Sequence, residues 1–122
     1  MNIQGITWHA VTLEPEAFEA TKQLTTQVLG LQPMMELEGV AVFSMPNGTL
    51  LELYTPQAVP PFGYNGNVAF GFRVDDIEVA SQQLEAAGCE LLGEINRVPD
   101  MNYAYRHFRG PGGIVYGLNE QR

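Results

Sequence analysis

This sequence has few cysteines, few basic residues and no long apolar segment, and each shortage excludes a class of protein. Cys89 is the only cysteine among 122 residues, so an internal disulfide and a zinc site built from several cysteines are both excluded. The chain has six basic and 14 acidic residues, and the resulting formal charge of −8 argues against nucleic-acid and anionic-lipid partners. No segment approaches the roughly 20 apolar residues of a membrane-spanning helix.

The apolar content places the chain among folded proteins. Hydrophobic residues make up 45% of the sequence, which excludes general disorder. A chain of this length can bury a sufficient core, so we expect a single domain over residues 1–122. The first residues carry neither a basic cluster nor a continuous apolar run of the signal-peptide type. Together with the lone cysteine, this predicts a cytoplasmic location.

Two segments have the periodicity of amphipathic helices. The first, Pro15 to Leu29, begins with a proline suited to a first helical turn and ends before Gly30. The second, Asp76 to Ala87, can be capped by Asp75 and ends before Gly88. Each helix should cover one face of a sheet with its apolar stripe.

Short extended segments surround the two helices in the same order. One precedes each helix and three follow it, and a proline-containing turn joins the last two, at 46–48 and again at 111–113. The chain is therefore predicted to contain two tandem βαβββ modules of the α+β class. We place module one at 1–54, a Pro- and Gly-rich linker at 55–67, and module two at 68–122.

Aligning the modules identifies two positions of interest. When the helix starts are superposed, His9 in the first strand falls on Ala69. When the turns are superposed, Glu52 in the last strand falls on Gly117. Only the first module therefore carries an imidazole and a carboxylate at these positions.

The combined motifs resemble a known superfamily. They read ITWHAVTLEPEAF, VLGL, PNGTLLELY, FRVDDIEVA and GPGGIVYGL, and in this order they are similar to the vicinal oxygen chelate superfamily. Its members include glyoxalase I, extradiol dioxygenases, methylmalonyl-CoA epimerase and bleomycin-resistance proteins. The resemblance implies a curved, cup-shaped mixed sheet with the helices outside, a small-molecule ligand and a homodimer.

The resemblance also implies a metal site, which this sequence only half supplies. Metal-dependent members use the first and last strands of each module, so His9 and Glu52 match the ligand positions. Ala69 and Gly117 cannot bind a metal. One imidazole and one carboxylate hold a divalent ion poorly, so we expect no cofactor. His107 can still complete a two-histidine, one-carboxylate set, which leaves a divalent metal open.

Alternation along the strands suggests what else lines the cup. Glu52 shares a face with Tyr54, and in the absence of a metal Glu52 is a candidate general base. Phe62 and Tyr64 in the linker are further aromatic side chains that could contact a flat ligand. In the strand 102–109, one of two alternating sets faces the ligand, either Tyr103, Tyr105, His107 and Arg109 or Asn102, Ala104, Arg106 and Phe108. The candidate ligand-binding residues are Trp8, His9, Glu52, Tyr54, Tyr103, Tyr105, His107 and Arg109.

Three functions remain open at this point. The leading hypothesis is a glyoxalase- or bleomycin-resistance-like protein with an incomplete metal site that binds or sequesters an aromatic or cationic compound. Bleomycin-resistance proteins share its acidity and lack of metal ligands. The alternative is a metal-dependent lyase, isomerase or dioxygenase that uses His9 and Glu52. The third is a protein whose fold serves assembly alone, without a small ligand.

Overall fold

The structure, a computed structural model, describes residues 1–64 and 66–122; Asn65, within the predicted linker, lies outside the described residues. Two compact units are present. The N-terminal unit comprises Trp8–Ala69, and the C-terminal unit comprises Met1–Thr7 with Phe70–Arg122. The boundaries fall inside two strands, so the beginning of the first strand belongs to the C-terminal unit.

The N-terminal unit contains one βαβββ sequence. Its strands follow the hydrogen-bonded order β2-β3-β4-β1, in which β1 and β4 are parallel and the other pairs are antiparallel. The elements are β1 (Ile3–Thr12), α1 (Pro15–Gln23), a π-helical turn (Leu24–Val28), β2 (Pro33–Leu37), β3 (Val40–Ser44) and β4 (Leu50–Tyr54).

The first helix differs from its prediction in its last turn. The sequence pattern predicts one helix from Pro15 to Leu29, but α1 continues from Leu24 as a π-helical turn. The hydroxyl of Thr25 donates to the Thr21 carbonyl at 2.8 Å. Such back-bonding competes with the regular helical pattern, and apolar periodicity cannot report it.

The C-terminal unit repeats the same order. Its hydrogen-bonded strand order is β5-β8-β7-β6, with β5 and β8 parallel and the other pairs antiparallel. The elements are β5 (Val68–Val74), α2 (Ile77–Ala86), β6 (Glu90–Val98), β7 (Tyr103–Arg109) and β8 (Val115–Gln121), of which the first two residues of β5 belong to the N-terminal unit. The α+β class with two βαβββ sequences is confirmed.

The start of α2 lies beyond the predicted position. Asp76, not Asp75, is the N-cap, and its carboxylate accepts hydrogen bonds from the backbone of Glu78 and Val79, each at 3.1 Å. The helix therefore begins at Ile77. Neighbouring aspartates offer the same cap chemistry, so the sequence alone does not choose between them.

Each helix packs on one face of its own unit. In the N-terminal unit Phe18 of α1 joins a buried cluster with Phe43 and Leu53. In the C-terminal unit Ile77 of α2 packs in a cluster with Leu118 and other strand residues. We call the opposite face of each unit's strands its helix-free face. No helix among the described residues is long and apolar enough to cross a membrane.

Candidate functional site

The pairing of β1 with β4 decides where His9 and Glu52 project. Glu52 pairs with Ala10, whereas His9 pairs with Leu51. Directly paired residues share a face and successive residues alternate. Leu51 packs on the cluster that includes Phe18 of α1, so His9 projects to the helix side and Glu52 to the helix-free face. The register therefore places His9 and Glu52, both matched to ligand positions in the sequence, on opposite faces of the strands.

The same register corrects the alignment of the modules. Glu52 pairs with Ala10, and Gly117 pairs with Gly71 in the equivalent parallel pair of the other unit. Glu52 and Gly117 thus remain equivalent positions, and the residue of the N-terminal unit that is equivalent to Gly71 is Ala10. The sequence alignment, which matched His9 with Ala69, was therefore off by one residue, since the counterpart of Ala69 is Trp8.

Glu52 lies between apolar neighbours on its face. Its strand partners are Ala10 on β1 and Val42 on β3, both buried. The half-buried carboxylate accepts a hydrogen bond from the Tyr54 hydroxyl at 2.6 Å, a length typical of a bond to a charged acceptor. The carboxylate is thereby oriented by its own strand.

An aromatic cluster adjoins Glu52 on the helix-free face. The ring of Tyr64 lies 5.5 Å from that of Trp8 and 6.1 Å from that of Tyr54, both in edge-on geometry. Phe62 lies 6.2 Å from Tyr64. Trp8 is only 6% exposed, while Tyr54 and Tyr64 are half-buried. Tyr64 is central to the cluster, yet the sequence placed it only in the linker.

The donor set does not fit a divalent metal. Neither Ala10 nor Val42, the neighbours of Glu52 across the strands, carries a donor atom, and His9 projects to the other face. Over residues 1–64 and 66–122, no three His, Cys, Asp or Glu side chains are grouped so that they could hold a metal ion. The triad of His9, Glu52 and His107 is excluded by the placement of His9. The expected absence of a cofactor stays a prediction.

In the C-terminal unit the strand β7 presents one of its two alternating sets. Tyr105 pairs with Asn119 and His107 pairs with Gly117 on β8. Leu118, between these partners, belongs to the cluster beneath α2. The helix-free face therefore carries the set Tyr103, Tyr105, His107 and Arg109, which resolves the choice that the sequence left open.

The helix-free face of β7 is aromatic at one end and ion-paired at the other. The rings of Tyr103 and Tyr105 lie 5.9 Å apart, and Tyr105 lies 6.4 Å from the His107 ring. Arg109 pairs with Glu90 at 2.6 Å. Burial lowers the pKa of His107 to about 4, so its imidazole is neutral at pH 7.

A separate cleft lies on the helix side of the N-terminal unit. It encloses about 490 Å³ and is lined by residues including Pro15, Phe18, Glu19 and Glu38. Glu19 also forms an ion pair with Lys22 at 3.3 Å. None of the predicted site residues lines this cleft, so it is distinct from the aromatic cluster beside Glu52.

Comparison with known proteins places this fold. The model of the Glyoxalase/Bleomycin resistance protein/Dioxygenase superfamily matches residues 10–117. No curated protein sequence is significantly similar to the chain.

Several solved structures share the fold at low sequence identity. The Mn(II)-bound glyoxalase from Novosphingobium aromaticivorans superposes with a TM-score of 0.72 at 17% identity, over 98% of this chain and 39% of that one. Methylmalonyl-CoA epimerase from Mycobacterium tuberculosis gives 0.69 at 17% identity, over 98% and 89%. A superfamily member from Vibrio splendidus 12B01 gives 0.63 at 16% identity, over 96% and 100%.

Proposed function

We propose that this chain, which belongs to the Glyoxalase/Bleomycin resistance protein/Dioxygenase superfamily, binds a small aromatic cation without using a metal. The fold alone does not select the chemistry, because the same architecture supports several activities. The observation that carries the proposal is a carboxylate, Glu52, set on one face with the rings of Trp8, Tyr54 and Tyr64.

Charge and ring chemistry together favour an aromatic cation. Glu52 supplies a negative charge between the buried apolar residues Ala10 and Val42, where solvent screens a counter-charge less than at an open surface. Tyr54 and Tyr64 supply half-buried aromatic faces that attract a cation and stack on a flat ligand. A neutral aromatic compound would leave the carboxylate without a compensating charge.

The sole tryptophan makes this proposal directly measurable. Trp8 contacts Tyr64 within the cluster, so its fluorescence should report ligand entry. We expect phenyltrimethylammonium to change this fluorescence saturably, and benzyl alcohol, which lacks the charge, to bind much more weakly. Glu52→Gln should weaken binding of the cation about tenfold, because a partly buried charge-assisted contact is lost.

A matched variant separates a local effect from general acidity. Glu36→Gln removes one negative charge from an exposed position on β2 of the same unit and should leave the titration unchanged. The proposal is overturned if a panel of aromatic cations gives no saturable change. Equal binding by the wild type and Glu52→Gln would overturn it as well.

The alternative is a metal-dependent enzyme, and two structural neighbours motivate it. One is a Mn(II)-bound glyoxalase and another a methylmalonyl-CoA epimerase. The placement of His9 and Glu52 on opposite faces argues against it. Metal analysis after incubation with Mn²⁺, Zn²⁺, Ni²⁺ or Fe²⁺ distinguishes the two, because stoichiometric binding lost in Glu52→Gln would support the enzyme. Homodimer formation and a cytoplasmic location stay predictions, and sedimentation equilibrium tests the first.

A further inference from the structure

We infer that the cleft on the helix side of the N-terminal unit is a second binding site, for a small alkylammonium ion, with Glu38 as the residue that selects the charge. The cleft is distinct from the aromatic cluster beside Glu52, so this inference goes beyond the proposed function. No sequence motif marked the cleft, because its walls come from three separate segments of the chain.

Three elements of the N-terminal unit form the walls of the cleft. They are the first turns of α1, the tight turn between β2 and β3 at Glu38 and Gly39, and a 3₁₀ turn (Pro56–Ala58) that follows Thr55. The backbone amide of Thr55 donates to the Gly39 carbonyl at 2.9 Å, and the amide of Ala58 donates to the Thr55 carbonyl at 3.0 Å. These bonds hold the two turns in a fixed relation to each other.

Gly39 allows the two turns to approach closely. Its φ is +75°, and a Cβ at this position would lie 2.5 Å from the hydroxyl oxygen of Thr55 and 3.3 Å from the Cβ of Ala58. Glycine adopts this conformation without strain and adds no atoms to the contact. The resulting cleft of about 490 Å³ is of the size that accepts a small molecule, roughly 300 to 1,000 Å³.

The polar side chains of the lining offer acceptors for N–H donors. They are Glu19, Glu38, Thr55 and Gln57. Within residues 1–64 and 66–122, the side chains of Glu38, Thr55 and Gln57 make no hydrogen bond or ion pair. Each of these three side chains has an oxygen that can accept a hydrogen bond. An ammonium group has three N–H donors and no acceptor, so it matches this set.

The charges at the cleft favour a cation. Its two ionisable lining residues, Glu19 and Glu38, are both acidic. Lys22 pairs with Glu19 at 3.3 Å and its Nζ lies 5.5 Å from the centroid of the Phe18 ring, so the charge of Glu19 is already compensated. Glu38 has no counter-charge among the described residues. Selection for a positive ligand is therefore assigned to Glu38.

The apolar part of the lining favours a ligand with a short aliphatic chain. Pro15 and Phe18 of α1 line one wall, and Ala58 lines the wall formed by the 3₁₀ turn. Contact with these side chains removes methylene groups from water, which favours binding. A butylammonium ion combines a charged head for Glu38 with a chain that can lie against these apolar groups.

Titration of the full chain with n-butylammonium at low ionic strength tests the site, because salt screens exposed charges. The backbone ¹⁵N–¹H signals of Gly39 and Ala58 report binding. We expect a saturable shift with n-butylammonium, about fivefold weaker binding of methylammonium, which lacks the chain, and no saturable shift with 1-butanol, which lacks the charge. Absence of saturation with n-butylammonium, or equal binding of n-butylammonium and 1-butanol, overturns the proposal.

Two variants should change the affinity in opposite directions. Glu38→Gln should weaken n-butylammonium binding about fivefold, since the uncompensated carboxylate is lost. Lys22→Gln should strengthen binding about twofold, because it releases the carboxylate of Glu19 from its ion pair. A gain in affinity cannot result from poor folding.

A matched variant separates the cleft from the general acidity of the chain. Glu36→Gln removes the same charge from an exposed position on β2 that does not line the cleft, and it should leave the affinity unchanged. Equal affinities in the wild type, Glu38→Gln and Lys22→Gln overturn the proposal, as does a loss in Glu36→Gln as large as that in Glu38→Gln. The phenyltrimethylammonium titration reads Trp8 and depends on Glu52, so either proposal can fail alone.

Discussion

The two helix-free faces use the same strand positions for opposite chemistry. In the N-terminal unit the paired row Ala10, Glu52 and Val42 has a carboxylate on its central strand. The equivalent row of the C-terminal unit is Gly71, Gly117 and His107, with no side chain on its central strand and an imidazole on the outer one. The two units share the same strand pairing, but the polar side chain of the row lies on the central strand in one unit and on the outer strand in the other. Conserved pairing therefore does not imply a conserved site.

The neighbouring rows, which contain Tyr54 in one unit and Asn119 in the other, also differ in their chemistry. Beside Glu52 the N-terminal unit has the ring of Tyr54, whose hydroxyl donates to the carboxylate. Beside Gly117 the C-terminal unit has Asn119, which orients the cation Arg73. One face is thus built around an anion and the other around a cation.

The largest expected effect comes from the glycine pair. A Cβ added to Gly71 would lie 2.7 Å from backbone atoms of Gly117, a distance that requires the strands to move apart. Gly71→Ala should therefore lower the free energy of unfolding by about 3 kcal/mol, measured by urea denaturation. The matched change at the equivalent position, Ala10→Gly, should cost only about 1 kcal/mol, since it removes a methyl group and adds backbone freedom. Equal losses in the free energy of unfolding for Gly71→Ala and Ala10→Gly would show that the paired strands are no closer together at Gly71 than at Ala10.

These rows also show what the sequence could and could not predict. The duplicated order of turns and periodic segments was enough for the α+β class and both helices, because those patterns are local. The face of the sheet on which each side chain lies could not be predicted, because a one-residue slip transfers every side chain of a strand to the other face. The alignment of the two first strands was off by one residue, because it matched His9 with Ala69, whose counterpart by strand pairing is Trp8. The contact between Arg73 and Asn119 joins distant segments, so no local pattern marks it.

A second prediction uses the imidazole that only the C-terminal row contains. Between pH 4 and 6.5 the His107 side chain is protonated in the unfolded chain but neutral in the folded one, because burial lowers its pKa from 6.5 to about 4. The unfolded state then binds more protons, so stability falls as the pH falls through this window, by up to about 3 kcal/mol. The neighbours of His107 across the strands, Leu92 and Gly117, do not titrate.

Comparison with a variant isolates this contribution from that of the carboxylates. His107→Gln should show a smaller loss of stability between pH 6.5 and pH 4, measured by urea denaturation at each pH. At pH 7.5 the imidazole is neutral in both states, so any difference there reports packing and hydrogen bonding alone. Parallel stability curves for the wild type and His107→Gln across the whole range would contradict the lowered pKa.

The smallest effect concerns the two helix starts, which differ although the helices are equivalent. Asp76 caps α2 through bonds to Glu78 and Val79, whereas Glu14, at the same position of α1, makes no side-chain cap bond. Asp76→Ala should cost about 1 kcal/mol, and Glu14→Ala should change the free energy of unfolding by much less. Glu14→Asp, a shorter carboxylate of the preferred capping type, should recover part of this difference by stabilising α1. If Glu14→Ala proves as costly as Asp76→Ala, the two helices begin with equivalent support, and the asymmetry between the units is confined to their helix-free faces.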